Sequence, residues 1–133
     1  MGLSILETAI YASDLDAAES FYRDVLGLPF DSKVAGRHVF FRCGDAMFLV
    51  FNPTATAVKA GDAPTHGALG PGHVAFAVDG ELEPWLERLA EHGVEIEASV
   101  EWPGGGRSIY FRDPGGNSVE LATPSIWGIG MDH

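Results

Sequence analysis

Glu7 and His73 occupy matching places in a repeated pattern, 66 residues apart. Both side-chain types can hold a metal ion. Glu120 stands between Val119 and Leu121, a polar exception in an apolar strand, and a carboxylate there needs a partner. Arg37 and Arg42 recur seventy residues later as Arg107 and Arg112. The guanidinium groups of Arg37, Arg107 and Arg112 suit an anionic substrate. The competing reading pairs them with the chain's own nineteen acidic residues, and is favoured for Arg37. His38 corresponds to Ser108, and reads either as ligand-facing or as a surface strand residue. His66 lies seven residues before His73 in a Gly-rich loop, and reads as an acid or base at a site mouth or as a solvent-facing histidine. Cys43 has no nearby histidine in sequence and reads as packing.

These residues sit on elements that occur twice. Gly36-Arg37-His38-Val39-Phe40-Phe41-Arg42 returns as Gly106-Arg107-Ser108-Ile109-Tyr110-Phe111-Arg112. Gly27 and Phe30 are matched by Gly93 and Ile96. Two copies of one small unit must bury their apolar faces, and corresponding positions can then share a site. The first copy reads as a strand over Leu3 to Ala12, buried on both faces. A helix follows, capped by Asp14 or by Asp16 with Glu19 as a capping box, and ended by Gly27. Its apolar stripe is Ala18, Phe21, Tyr22, Val25 and Leu26. Three strands are expected near Pro29 to Lys33, Arg37 to Cys43 and Ala46 to Phe51.

The Pro-, Ala-, Thr- and Gly-rich stretch from Asn52 to Gly72 reads as a linker. The second copy repeats the order: a strand over His73 to Val78, a helix over about Glu81 to His92, then strands near Val94 to Val100, Arg107 to Arg112 and Asn117 to Ala122. Leu82, Trp85, Leu86, Leu89 and Ala90 form the second helix stripe. Strand parity turns Val74, Phe76 and Val78 toward the helix and His73, Ala75 and Ala77 away. Glu7, Ala9 and Tyr11 take the equivalent face, where small alanines leave room for a ligand. Ser118, Glu120 and Ala122 likewise share a face. Pro103-Gly104-Gly105-Gly106 lacks a lysine and does not open a helix, so it is a strand connection and not a phosphate loop.

Size and composition narrow the function. The 133 residues suffice for one compact domain, and 46% hydrophobic content fits a globular chain. A net charge of −11 argues against nucleic acid, whose binding rests on clustered Lys and Arg. Acidic surface favours solubility. No apolar run approaches the ~20 residues of a membrane helix. A single cysteine precludes an internal disulfide, and a cytoplasmic protein is expected.

Leu6-Glu7-Thr8-Ala9-Ile10-Tyr11-Ala12-Ser13-Asp14-Leu15, with Phe21-Tyr22 and Val25-Leu26-Gly27, resembles the opening of a vicinal-oxygen-chelate module. Gly72-His73-Val74-Ala75-Phe76 resembles a second opening, and Tyr110-Phe111-Arg112-Asp113-Pro114-Gly115-Gly116-Asn117-Ser118-Val119-Glu120-Leu121 is the most specific part. The superfamily includes glyoxalases, extradiol dioxygenases, epimerases, fosfomycin-resistance enzymes and bleomycin-binding proteins. The resemblance implies an α+β fold of two tandem βαβββ modules, a curled mixed sheet around a cup. It places one domain over residues 1–133: module one over 3–52, a linker over 53–71, module two over 72–123 and a tail over 124–133.

Family metal ligands come from the first and last strands of each module. Their counterparts here are Glu7, His73 and Glu120. Aligning Gly44 with Gly116 puts Phe48 at the fourth position, where no ligand is possible. One imidazole and two carboxylates suit one divalent ion such as Zn, Mn, Fe, Ni or Co. Three protein ligands leave room for a substrate chelated through adjacent oxygens, whose developing negative charge the ion would stabilise. Glu at position 7 replaces the family's commoner His or Gln, and points away from the two-histidine dioxygenase triad. The missing fourth ligand points away from a glyoxalase-type site and toward the fosfomycin-resistance branch. With only Lys33 and Lys59 and no match to that branch's cation-binding loop, fosfomycin is not inferred.

The resemblance makes Glu120 and Tyr110 catalytic, and Ser108, Tyr110, Arg107, His38, Phe48 and Trp102 substrate-binding. Trp102, before Pro103, is expected to close over the cup, and Tyr11 and Phe40 to line it. Lyase, isomerase and group-transfer reactions all fit a metal-dependent superfamily enzyme. The alternative is a metal-free protein that sequesters a drug or metabolite, as bleomycin-binding members do. The partners expected are a small molecule and, from the resemblance, a second copy in a homodimer. Ile126, Trp127 and Ile129 of the tail would cover an open edge, here or on that copy.

Overall fold

The computed structural model describes residues 1–129. Two compact units are present: Met1–Gly72 with Pro114–Gly116, and His73–Asp113 with Asn117 onward. Each carries a βαβββ module with its own four-stranded mixed sheet.

In the first unit, β1 (Glu7–Tyr11) pairs in parallel with β4 (Ala46–Phe51). The antiparallel strands β3 (His38–Cys43) and β2 (Phe30–Val34) follow outward. Helix α1 (Leu15–Ser20) continues into a wider π-helical turn over Phe21–Val25. Asp14 caps it by accepting a hydrogen bond from the Ala17 N–H at 3.0 Å. Glu19 does not close a capping box: it pairs instead with Lys33 at 2.8 Å and Arg23 at 3.3 Å. Ala18, Phe21, Tyr22, Val25 and Leu26 are all buried, as their spacing requires. The Tyr22 ring lies 4.8 Å from Phe48 and 6.1 Å from Phe41, which places Phe41, Phe48 and Val50 on the helix side.

Strand β1 is shorter than expected and not buried on both faces. It begins at Glu7, and Glu7, Thr8 and Ala9 are exposed. The linker is not wholly irregular: Pro53–Thr56 forms one helical turn, α2, capped by Asn52.

The second unit repeats the topology. Strand β5 (His73–Ala77) runs parallel to β8 (Ser118–Ala122), followed by β7 (Arg107–Arg112) and β6 (Ala98–Glu101). Helix α3 (Glu83–Glu91) buries Leu82 at its cap and Leu89, while Trp85 and Leu86 are half-buried. Ala90 is exposed, so the stripe is narrower than predicted. Gly93 terminates the helix at φ 72°, a left-handed conformation natural to glycine. Val74 and Val78 are buried while His73, Ala75 and Ala77 are exposed, matching the alternation read from the sequence.

The β7–β8 turn explains the Asp113-Pro114-Gly115-Gly116-Asn117 signature physically. The Asp113 carboxylate accepts from the Asn117 backbone N–H at 2.8 Å and its side-chain amide at 3.0 Å. The Asp113 N–H in turn donates to the Asn117 carbonyl at 3.0 Å. This clamp sets the register in which Glu120 lies opposite Tyr110 on one side and Ala75 on the other. No helix among the described residues is long and apolar enough to cross a membrane.

Candidate functional site

The helix-free face of the second sheet is set by strand parity. It carries His73, Ala75 and Ala77 from β5, Ser118, Glu120 and Ala122 from β8, and Ser108, Tyr110 and Arg112 from β7. Here His73 Nε2 lies 3.3 Å from Glu120 Oε1. His73 Nδ1 lies 3.1 Å from the Ser118 carbonyl oxygen. A carbonyl only accepts, so Nδ1 carries the proton and donates. The lone pair of a neutral imidazole is then on Nε2, toward the carboxylate.

The other carboxylate oxygen is committed. Ser108 Oγ donates to Glu120 Oε2 at 2.6 Å, a short charge-assisted bond, and Ser108 in turn accepts from the Trp102 indole N–H at 2.9 Å. Glu120 is only 6% exposed and Ser108 fully buried, whereas the His73 side chain is half-exposed. The Tyr110 ring stacks near His73, centroids 6.4 Å apart. Burial, and then the Glu120 charge, raises the Tyr110 hydroxyl above the usual phenol range.

This donor set fits a divalent cation. His73 Nε2 and Glu120 Oε1, 3.3 Å apart, share a proton when the imidazole is charged and converge on a cation when it is neutral. Each has an outer partner that orients it, Ser118 for the imidazole and Ser108 for the carboxylate, as metal ligands require. Glu7 opens β1 at the place His73 holds in β5, and shares its face with Ala9 and Tyr11. Among the described residues, no group of three His, Cys, Asp or Glu side chains arranged to hold a metal is found. His73 and Glu120 are brought together as a pair.

Other sequence assignments are redistributed. Phe48 is 2% exposed against Tyr22, on the helix side of its sheet, because it alternates with Leu49. The register also changes its alignment. Met47 pairs with Glu7 as Ser118 pairs with His73, so Leu49, not Phe48, is the counterpart of Glu120. The β7–β8 turn has one residue more than the β3–β4 turn, which the glycine alignment could not reveal. Arg107 falls on the helix side as well. It binds Glu83 of α3 at 2.7 Å and Ser99 at 3.3 Å, so it faces away from Ser108 and Tyr110. Trp102 does not stand free as a cover, since its indole N–H is bound to Ser108.

The arginines mostly find internal partners. Arg112 pairs with Glu97 through two bonds of 2.8 and 3.1 Å, which lowers the Glu97 carboxyl below its ordinary range. Arg42 pairs with Asp31 at 3.2 Å. Arg37 donates to the Ala55 carbonyl at 3.2 Å rather than to an acid.

The corresponding face of the first sheet is aromatic. Tyr11, Phe51, His38 and Phe40 share it, with His38 stacked on Phe40 at 3.9 Å. His38 is half-buried, and its Nδ1 is buried with no partner among the described residues. Burial, and then the Arg37 charge, lowers its proton affinity. His66 is exposed but held: its Nδ1 lies 2.8 Å from the Tyr11 hydroxyl and its ring meets the edge of Phe51 at 4.6 Å. The sequence reading missed this pairing, and the Ser118 carbonyl that orients His73; neither has a local signal. Burial raises the Cys43 thiol, consistent with an inert packing cysteine.

Comparison with known proteins agrees with this architecture. The family model "Glyoxalase/Bleomycin resistance protein/Dioxygenase superfamily" matches residues 4–121. A metallothiol transferase FosB from Bacillus licheniformis is 31% identical over 130 residues, covering 94% of this chain and 78% of that protein. Its namesake from Staphylococcus epidermidis is 27% identical over 125 residues, covering 92% and 83%. The crystal structure of a lactoylglutathione lyase from Agrobacterium tumefaciens is 45% identical with a TM-score of 0.91, covering 95% of this chain and 97% of that one. The chain belongs to the glyoxalase/bleomycin resistance/dioxygenase superfamily.

Proposed function

We propose that the protein is a divalent-metal-dependent enzyme whose ion is held by His73 and Glu120, with Glu7 as third ligand from this chain or from a second copy in a homodimer. The observation that carries this reading is the 3.3 Å approach of His73 Nε2 to Glu120 Oε1, each with its outer partner in place. The ion would supply Lewis acidity toward a small substrate that chelates through adjacent oxygens. The Tyr110 hydroxyl, held by hydrogen bonding with Ser108 and Glu120, would turn to a substrate oxygen beside the ion. Ala75 and Ala77, small and exposed on the same face as the pair, would leave space for that substrate. Small-molecule chemistry of this kind, a lyase, isomerase or group-transfer step, is in keeping with relatives named as a metallothiol transferase and a lactoylglutathione lyase.

The test is metal analysis of protein prepared without chelator. One divalent ion per site is expected, and Glu120→Ala should lose it. A Glu120→Ala protein that keeps full metal content sinks the assignment. A second reading, a metal-free protein that binds a drug or metabolite, is favoured by the aromatic face of Tyr11, Phe40 and Phe51. It predicts ligand binding that survives chelator, which calorimetry would detect.

A further inference from the structure

The carboxylate of Glu120 has a mount, and the mount begins outside the proposed ligands. Trp102 ends the β6 side of a tight turn: its N–H donates to the Gly106 carbonyl at 3.0 Å, and its carbonyl accepts from the Gly105 N–H at 2.9 Å. Gly106 sits at φ 87°, and a Cβ there would come within 2.6 Å of Ile126, 2.7 Å of Ser125 and 2.8 Å of Thr123. The turn is therefore closed down on the segment after β8 as only glycine permits. Thr123 also accepts from the Arg107 N–H at 3.0 Å. That closure fixes where the Trp102 indole lies, and the indole N–H meets Ser108 at 2.9 Å.

The direction of the bonds is dictated by the donor inventory. An indole N–H can only donate, so Ser108 accepts from Trp102. Ser108 is fully buried and its own proton goes to Glu120 Oε2 at 2.6 Å. Oε2 is thereby occupied, and Oε1 is the oxygen left facing His73 Nε2. We infer that Trp102 is a positioning residue: through Ser108 its indole N–H holds the Glu120 carboxylate in the orientation that presents Oε1 to a divalent cation. The inference rests on the reading of His73 and Glu120 as cation ligands. It gives the Gly-rich turn and the segment at Thr123 to Ile126 a shared purpose, which is to carry this indole.

The experiment is a Co2+ titration of the full chain, followed by calorimetry and by the visible absorption of the bound ion. Wild type, Trp102→Phe, Ser108→Ala and the double variant are compared, with circular dichroism as the folding control. Trp102 is partly exposed on its turn, so Phe keeps an aromatic side chain there while removing the indole N–H together with the smaller ring that carries it, and the folding control reads any packing loss. Trp102→Phe should weaken Co2+ binding about tenfold and shift the absorption bands, and Ser108→Ala should do at least as much. The double variant should be no weaker than Ser108→Ala alone, because the indole acts through the hydroxyl. Unchanged affinity and spectrum in Trp102→Phe, or additive losses in the double variant, overturn the inference while leaving the cation site standing. A wild-type chain that binds no Co2+ overturns the cation site and the inference with it.

Discussion

The two sheets share a topology and differ in what they present on their helix-free faces. In the first, Tyr11, Phe51, Phe40 and His38 make an aromatic surface, and Leu49 occupies the central place. In the second, the same place is Glu120, beside His73, Ser108 and Tyr110. The two copies therefore share a framework, while the paired carboxylate and imidazole stand on the second sheet. The physical reason is visible in the surroundings. Glu120 has Ser108 and His73 as polar neighbours, whereas Leu49 has Phe40 and Ala9 as strand partners. A carboxylate is tolerable in the first setting and costly in the second.

Forcing the two faces to match is the strongest way to break this contrast. Leu49→Glu would place a charge at a site only 5% exposed, between Phe40 and Ala9. It should lower the unfolding free energy by about 3–5 kcal/mol, as measured by urea denaturation. A loss under 1 kcal/mol would mean that the first face accommodates a carboxylate and that the asymmetry has another origin.

The turns sharpen the comparison. β3 and β4 are joined through Gly44 and Asp45 alone, whereas β7 and β8 are joined through the Asp113–Asn117 clamp. Asp113→Ala leaves the buried Asn117 without its side-chain acceptor, and should destabilise by about 2 kcal/mol. It should also weaken metal binding, since the clamp sets the Glu120 register. Thermal denaturation and Co2+ titration on one sample would separate the two effects. Retained stability would show that Pro114 to Gly116 suffice to hold the turn.

The smallest effect concerns His38, the first-face counterpart of Ser108. Burial depresses its proton affinity below the ordinary value of 6.5, so the unfolded chain binds this proton more readily than the folded one. Its contribution to stability is therefore intact above about pH 6.5 and declines as the pH falls toward the folded value. His38→Gln should flatten the acid side of a stability profile. An unchanged slope between pH 7 and 5 would place the acid sensitivity elsewhere.

Much of this molecule was legible in its sequence, for identifiable reasons. Strand parity is local and has a period of two, so the faces of His73, Ala75, Ser118 and Glu120 could be read directly. Helix stripes and terminal glycines are local as well, which is why Tyr22 and Gly93 fell where expected. Register is not local. One additional turn residue moved the counterpart of Glu120 from Phe48 to Leu49, and parity then put Phe48 and Arg107 on the helix sides of their sheets.

The chain's own order of residues determined the repeated βαβββ units and the unusual set of polar side chains, because periodicity and turn chemistry act over a few neighbours. Tertiary structure alone decided how those side chains are partnered. Ser118 orients His73 across 45 residues, and Tyr11 holds His66 across 55. Trp102 meets Ser108 through a turn closed against Thr123 to Ile126. Hydrogen bonds have length and direction, and only the folded backbone supplies both.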